Sequence, residues 1–113
     1  MNIQIFGTKK CNDTKKAERY FKERGIKFQF IDMKEKGMSK GEFTSVASAN
    51  GGMENMIDEA CKDKETVTLL KYLSAEDKLA KILENPQVIK TPVVRNGKQS
   101  TIGYQPEVWK GWN

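Results

Sequence analysis

Two residues of this 113-residue chain carry a nucleophilic sulfur, Cys11 and Cys61. Cys11 lies in Thr8-Lys9-Lys10-Cys11-Asn12-Asp13, among polar and basic neighbours, whereas a structural cysteine normally sits among apolar ones. The chain has no histidine, which removes Ser-His and Cys-His nucleophile pairs and any His-Cys zinc cluster. Two cysteines this far apart supply neither a structural zinc site nor a disulfide framework, so no metal is expected. The run Cys11-Asn12-Asp13-Thr14 has no second cysteine at Cys-x-x-Cys spacing. A dithiol cycle at this loop is therefore excluded. The chemistry must be monothiol, or must take a resolving thiol from elsewhere.

The elements that position these residues follow from periodicity. Asn2 to Phe6 alternates polar and apolar side chains and is stopped by Gly7, as a strand is. Ala17, Tyr20 and Phe21 recur at helical spacing between Thr14 and Arg24, and Gly25 closes that helix. Lys27 to Asp32 reads as a second strand, so the first thirty residues form a β-α-β unit with parallel strands. Ser39-Lys40-Gly41-Glu42 fits a capping box ahead of a helix through Phe43, Val46 and Ala47, which Asn50-Gly51-Gly52 breaks. Met53 to Asp63 and Thr66 to Leu73 read as two more helices. Ser74 caps another that ends before Asn85-Pro86. Thr91 to Arg95 is extended, Asn96-Gly97 signals a hairpin, and Lys98 to Ile102 is the returning strand. Pro106 suits the first turn of a last helix containing Val108 and Trp109, with Trp112 in a loose tail.

The order β-α-β, helical insert at about 39–85, then β-β-α spans residues 1–113 as one α/β domain. It is the order of the thioredoxin-like scaffold, a four-stranded mixed sheet whose reactive cysteine opens the first helix. Cys11 occupies that place. A helix N-terminus presents unpaired N–H groups and a partial positive charge, which favour thiolate over thiol. Lys9, Lys10, Lys15 and Lys16 add to the same effect. Lys10, Asn12, Thr14 and Lys15 are the candidate substrate- or thiol-binding residues around the sulfur, with Thr14 and the N–H groups of residues 12–15 holding negative charge. In this scaffold a cis-proline opens the third strand and faces the cysteine loop. Pro92, preceded by Thr91, has the matching position, so the Thr91–Pro92 bond is expected cis, with Thr91 offering backbone pairing to a thiol-bearing chain.

Composition narrows the partners. Basic residues number 20 and acidic ones 15, a net charge of +5, and only Arg19, Arg24 and Arg95 are arginines. Lysines alternate with acids and form no basic block, which reads as a solvated surface and not a nucleic-acid groove. No apolar run approaches the ~20 residues of a membrane span. The N-terminus has no secretory pattern, so a cytoplasmic, monomeric protein without a bound cofactor is expected.

Three segments carry a family likeness: Phe6-Gly-Thr-Lys-Lys-Cys-Asn-Asp-Thr-Lys-Lys-Ala17, Ile89-Lys-Thr-Pro-Val-Val94, and Asn96-Gly-Lys98 with Ile102-Gly-Tyr104. With them the chain resembles the arsenate-reductase-related family, which includes glutaredoxin-coupled arsenate reductases, Spx-type regulators and small reductase-like proteins. The resemblance implies an oxidoreductase with one nucleophilic cysteine, Cys11, acting on a small thiol or oxyanion substrate. Glutathione, a glutaredoxin or a thioredoxin would then resolve the adduct. It also leaves open a non-catalytic redox-sensing or protein-binding module. The family's insert packs near the cysteine loop, so Cys61 is either a resolving thiol or a small apolar helix residue.

Departures from the family pattern bear on the reaction. Arsenate reductases place an arginine directly before the proline, where this chain has Thr91. Their insert arginine falls at Ala60, and a third, after the hairpin, near Gly103-Tyr104. Spx-type switches carry a second cysteine where Thr14 stands. Lysine and threonine do not imitate the bidentate fork of arginine on an oxyanion. Arsenate turnover with glutathione and glutaredoxin is therefore expected to be negligible, ~10²-fold or more below a site with the arginine. Thr91→Arg should recover weak oxyanion binding. A coupled arsenate assay showing robust turnover by the unaltered protein would overturn this reading.

Overall fold

A computed structural model describes residues 1–112. Its elements, in chain order, are β1 (Ile3–Gly7), α1 (Asn12–Glu23), β2 (Phe28–Asp32), α2 (Lys40–Ala49), α3 (Lys64–Leu70), α4 (Ala75–Glu84), β3 (Val93–Asn96), β4 (Gln99–Ile102) and α5 (Pro106–Trp109). Short 3₁₀ turns at Met53–Met56 and Pro86–Val88 flank the insert helices. The four strands form one mixed sheet in the order β2-β1-β3-β4, with β1 parallel to β2 and antiparallel to β3. The expected thioredoxin-like sheet is therefore present.

Alternation along β1 splits the core in two. Ile3 and Ile5 face a cluster built with Ala17, Tyr20, Phe21 and Trp109 from α1 and α5. Phe6 faces the other cluster with Phe43, Val46, Met56, Leu70 and Ile82 from the insert. A strand with period two can serve both layers only because each is closed by its own apolar helix faces. The insert is held by its caps. Ser39 and Glu42 form the complete capping box, Asp63 accepts from Thr66 N–H, and Ser74 accepts from Asp77 N–H.

Four details differ from the sequence reading. Met53 to Asp63 is not a helix. After one 3₁₀ turn, Ile57 bridges to Ile89 in antiparallel fashion, Asp58 N–H donates to Val88 O at 2.7 Å, and Lys90 N–H donates to Met56 O at 2.8 Å. Long-range strand pairing here overrides the local apolar period. Asp63, released from that segment, caps α3, which begins at Lys64 and ends at Leu70, before the expected Leu73. In the hairpin Asn96 pairs with Gln99, so the two loop residues are Gly97 and Lys98. Gly97 has φ +63 and, among the described residues, no non-glycine residue has positive φ, the pattern of a type II′ turn and not the type I′ turn that favours Asn-Gly at its centre. Trp112 is buried, 6% exposed, in the α1–α5 cluster and is not a loose tail.

Trp109 shows how that cluster is closed. Its indole N–H donates to Thr101 Oγ1 at 2.8 Å in a buried setting. Thr101→Val would leave that N–H without a partner and should cost about 1–3 kcal/mol in urea denaturation, with an unchanged m-value. Thr101→Ser keeps the acceptor and should cost less. Equal stability of Thr101→Val and the parent would contradict this role.

Candidate thiol site

The site is assembled at the end of the sheet where β1 runs out. Gly7 is followed by a turn in which Cys11 N–H donates to Thr8 O at 3.2 Å. Cys11 is then the N-cap of α1, with extended backbone at φ −78 and ψ 118, and its carbonyl accepts the first helical bond from Lys15 N–H. Thr14 is fully buried against Gly7, and a Cβ on Gly7 would collide with its side chain. That close approach seats the first turn of α1 on the end of β1.

The second wall comes from the far end of the chain. The Thr91–Pro92 bond is cis, and the thiol of Cys11 donates to Thr91 O at 3.7 Å, a sulfur-length contact. Gly103 N–H donates to Pro92 O at 2.8 Å, which ties this turn to the β3–β4 hairpin.

Burial of the sulfur acts to raise the Cys11 pKa, but hydrogen bonding outweighs it. The hydroxyls of Thr14 and Thr91 and the N–H groups of Thr14 and Asp13 face the sulfur, and together they hold the pKa below its ordinary value. Thr14 Oγ1 is buried and has no hydrogen-bond partner. An orphan hydroxyl pointing at a sulfur is satisfied once that sulfur is a thiolate acceptor. The sign is that of an acid with a lowered pKa. Thiolate is favoured down to the folded value and is lost as pH falls through it.

The candidate residues are not all brought together. Lys10, Cys11 and Thr91 line one groove, while Thr14 is buried behind it against Gly7 and does not line it. Asn12 is exposed on the first turn, while Lys15 lines a separate cleft with Glu18, Arg19 and Lys22 on the flank of α1. Cys61 is half-buried against the insert core, its thiol 3.8 Å from Asp63 O, and it does not line the Cys11 groove. Both cysteines are free. Groove residues that escaped the sequence reading include Lys34, Asp58 and Gln87. Lys34 had a signal. It follows β2, which is parallel to β1, and parallel strands deliver their C-terminal loops to one end. Asp58 and Gln87 had none, because the Ile57–Ile89 bridge places them.

The profile of the ArsC family matches residues 6–112. This chain belongs to the ArsC family. Among curated relatives, the global transcriptional regulator Spx 2 of Oceanobacillus iheyensis is 25% identical over 109 residues, covering 95% of this chain and 80% of the regulator. Global transcriptional regulator Spx of Streptococcus pyogenes serotype M1 is 22% identical over 107 residues, covering 93% and 80%. Among solved structures, an arsenate reductase from Vibrio cholerae superposes with TM-score 0.82 at 23% identity, covering 96% of this chain and 94% of that one. A putative ArsC-family-related protein from Bacteroides fragilis also gives 0.82, at 18% identity, covering 97% and 96%. At these identities the solved structures speak for the fold alone. In this chain Thr91, not an arginine, directly precedes Pro92.

Thr14→Val tests the electrostatics. It keeps the shape against Gly7 and removes the donor, so the pH midpoint for Cys11 alkylation should rise, and the iodoacetamide rate at neutral pH should fall about fivefold. An unchanged midpoint would remove Thr14 from the account.

Proposed function

We propose that this ArsC-family protein is a thiol-dependent reductase or transferase of the reducing cytoplasm, acting through Cys11. The observation that carries this reading is Cys11 at the N-cap of α1, its thiol in contact with Thr91 O and its pKa lowered by the neighbouring Thr14, Thr91 and Asp13 donors in spite of burial. The Cys11 thiolate attacks one sulfur of an oxidised substrate. The new bond forms at Cys11, the old S–S bond breaks, and its electron pair leaves on the departing thiolate. A second thiol, such as glutathione or the cysteine of a glutaredoxin or thioredoxin, then attacks the mixed disulfide and frees Cys11 as thiolate. Thr91, with its backbone beside the sulfur, would align the incoming chain, and Lys10 would sit at the mouth of the groove. The protein would work as a monomer with no bound cofactor.

A second reading is a redox-sensing or protein-binding module. It is favoured by the missing arginines and by the Spx names of the relatives at 25% and 22% identity.

Peptide mapping after treatment with glutathione disulfide tests the first reading. The adduct is expected on Cys11 and is expected to vanish in Cys11→Ser. Turnover of hydroxyethyl disulfide with glutathione should accompany it. An adduct at Cys11 without turnover supports the sensing module, and an adduct confined to Cys61 would overturn both.

A further inference from the structure

Asp58 is the one acidic side chain that lines both the Cys11 groove and a second, polar cleft beyond Thr91, where Asp13, Asn50 and Lys90 also lie. It therefore stands at the junction of the two, beside the route by which the body of a substrate would extend from the sulfur. Its position is fixed from both ends. Its N–H donates to Val88 O at 2.7 Å, and its Oδ1 accepts from Ala60 N–H at 3.0 Å. The cations nearby are held less firmly. Lys10 and Lys34 line the Cys11 groove but are exposed, and Lys90 in the polar cleft is exposed as well. Asp13 lies 4.0 Å from Lys16, on the helix surface. Long exposed ammonium groups are screened by water and salt, whereas a partly buried, anchored carboxylate keeps more of its field.

We propose that Asp58 sets the charge preference of the site, so that of two otherwise similar thiol or disulfide compounds Cys11 engages the one with a cationic group near its sulfur faster than the one with an anionic group there. The inference rests on Cys11 being the reacting thiol. It also gives the missing arginines a counterpart: the mouth of the site contains a fixed negative charge where an oxyanion would need positive ones.

Paired probes of similar size and opposite character test it. Iodoacetamide is neutral and iodoacetate is an anion. Both alkylate the thiolate by forming an S–C bond with loss of iodide, so their rate ratio at one pH cancels the thiolate fraction. Asp58→Asn keeps the acceptor for Ala60 N–H and removes the charge. At low salt it should raise the iodoacetate-to-iodoacetamide ratio at Cys11 by about threefold, and it should lower the relative rate with the dication cystamine. Asp58→Glu, which keeps the charge, should stay below Asp58→Asn. High salt should close the gap. An Asp58→Asn ratio equal to the parent's, or a gap that salt leaves untouched, overturns the proposal. Failure of the underlying reading looks different: iodoacetamide would then label Cys11 no faster than Cys61, whatever the ratio.

Discussion

The Cys11 sulfur is gripped by two segments eighty positions apart, the first turn of α1 and the cis Thr91–Pro92 turn. Neither alone makes a site. The first turn supplies amide donors and the Thr14 hydroxyl. The proline turn supplies the Thr91 hydroxyl and a carbonyl. What joins them is the place of β1 at the centre of the sheet, parallel to β2 on one side and antiparallel to β3 on the other. β1 ends where β3 begins, with Phe6 opposite Val93, so the loop after β1 and the turn before β3 must meet. Gly7 completes the constraint. Only a residue without a side chain lets Thr14 lie flat on the strand end.

The chemistry that follows is that of a stabilised thiolate without an arginine fork. Neutral donors at close range lower the thiol pKa against the cost of its burial, and they do so for any substrate. Recognition of a tetrahedral oxyanion is a separate task that needs paired, planar cations, and none of the described residues lining the Cys11 groove is an arginine. Lysines surround the groove, yet as exposed point charges they attract without orienting. The groove thus combines a thiol of lowered pKa with a lining that, among the described residues, contains no arginine.

Much of this architecture is legible in the sequence. The β-α-β unit, the Ser39 capping box, the Ser74 cap and the hairpin are local features, and each carries its own signal in consecutive residues. So does Cys11 at a helix start, because Gly7 and the apolar period of α1 bracket it. The insert was less legible. Met53, Met56, Ile57 and Ala60 have helical spacing, but Ile57 finds a partner at Ile89, and no local pattern encodes that bridge. Asp58 was hidden for the same reason. Lys15 misled in the opposite way: it is close to Cys11 in sequence, but it lines a separate cleft with Glu18, Arg19 and Lys22, which recur with it at helical spacing. Trp112 stood too near the chain end to be assigned to a core by periodicity, and the α5 turn carries it into one.

Every role assigned to the groove depends on Cys11 being stabilised there as a thiolate. Titrating thiolate absorbance in Cys61→Ser, where Cys11 is the only sulfhydryl, measures this directly. A midpoint clearly below that of an unperturbed cysteine is predicted, because the donors around the sulfur outweigh its burial. A midpoint at or above the ordinary value would mean that burial prevails, and it would contradict the account.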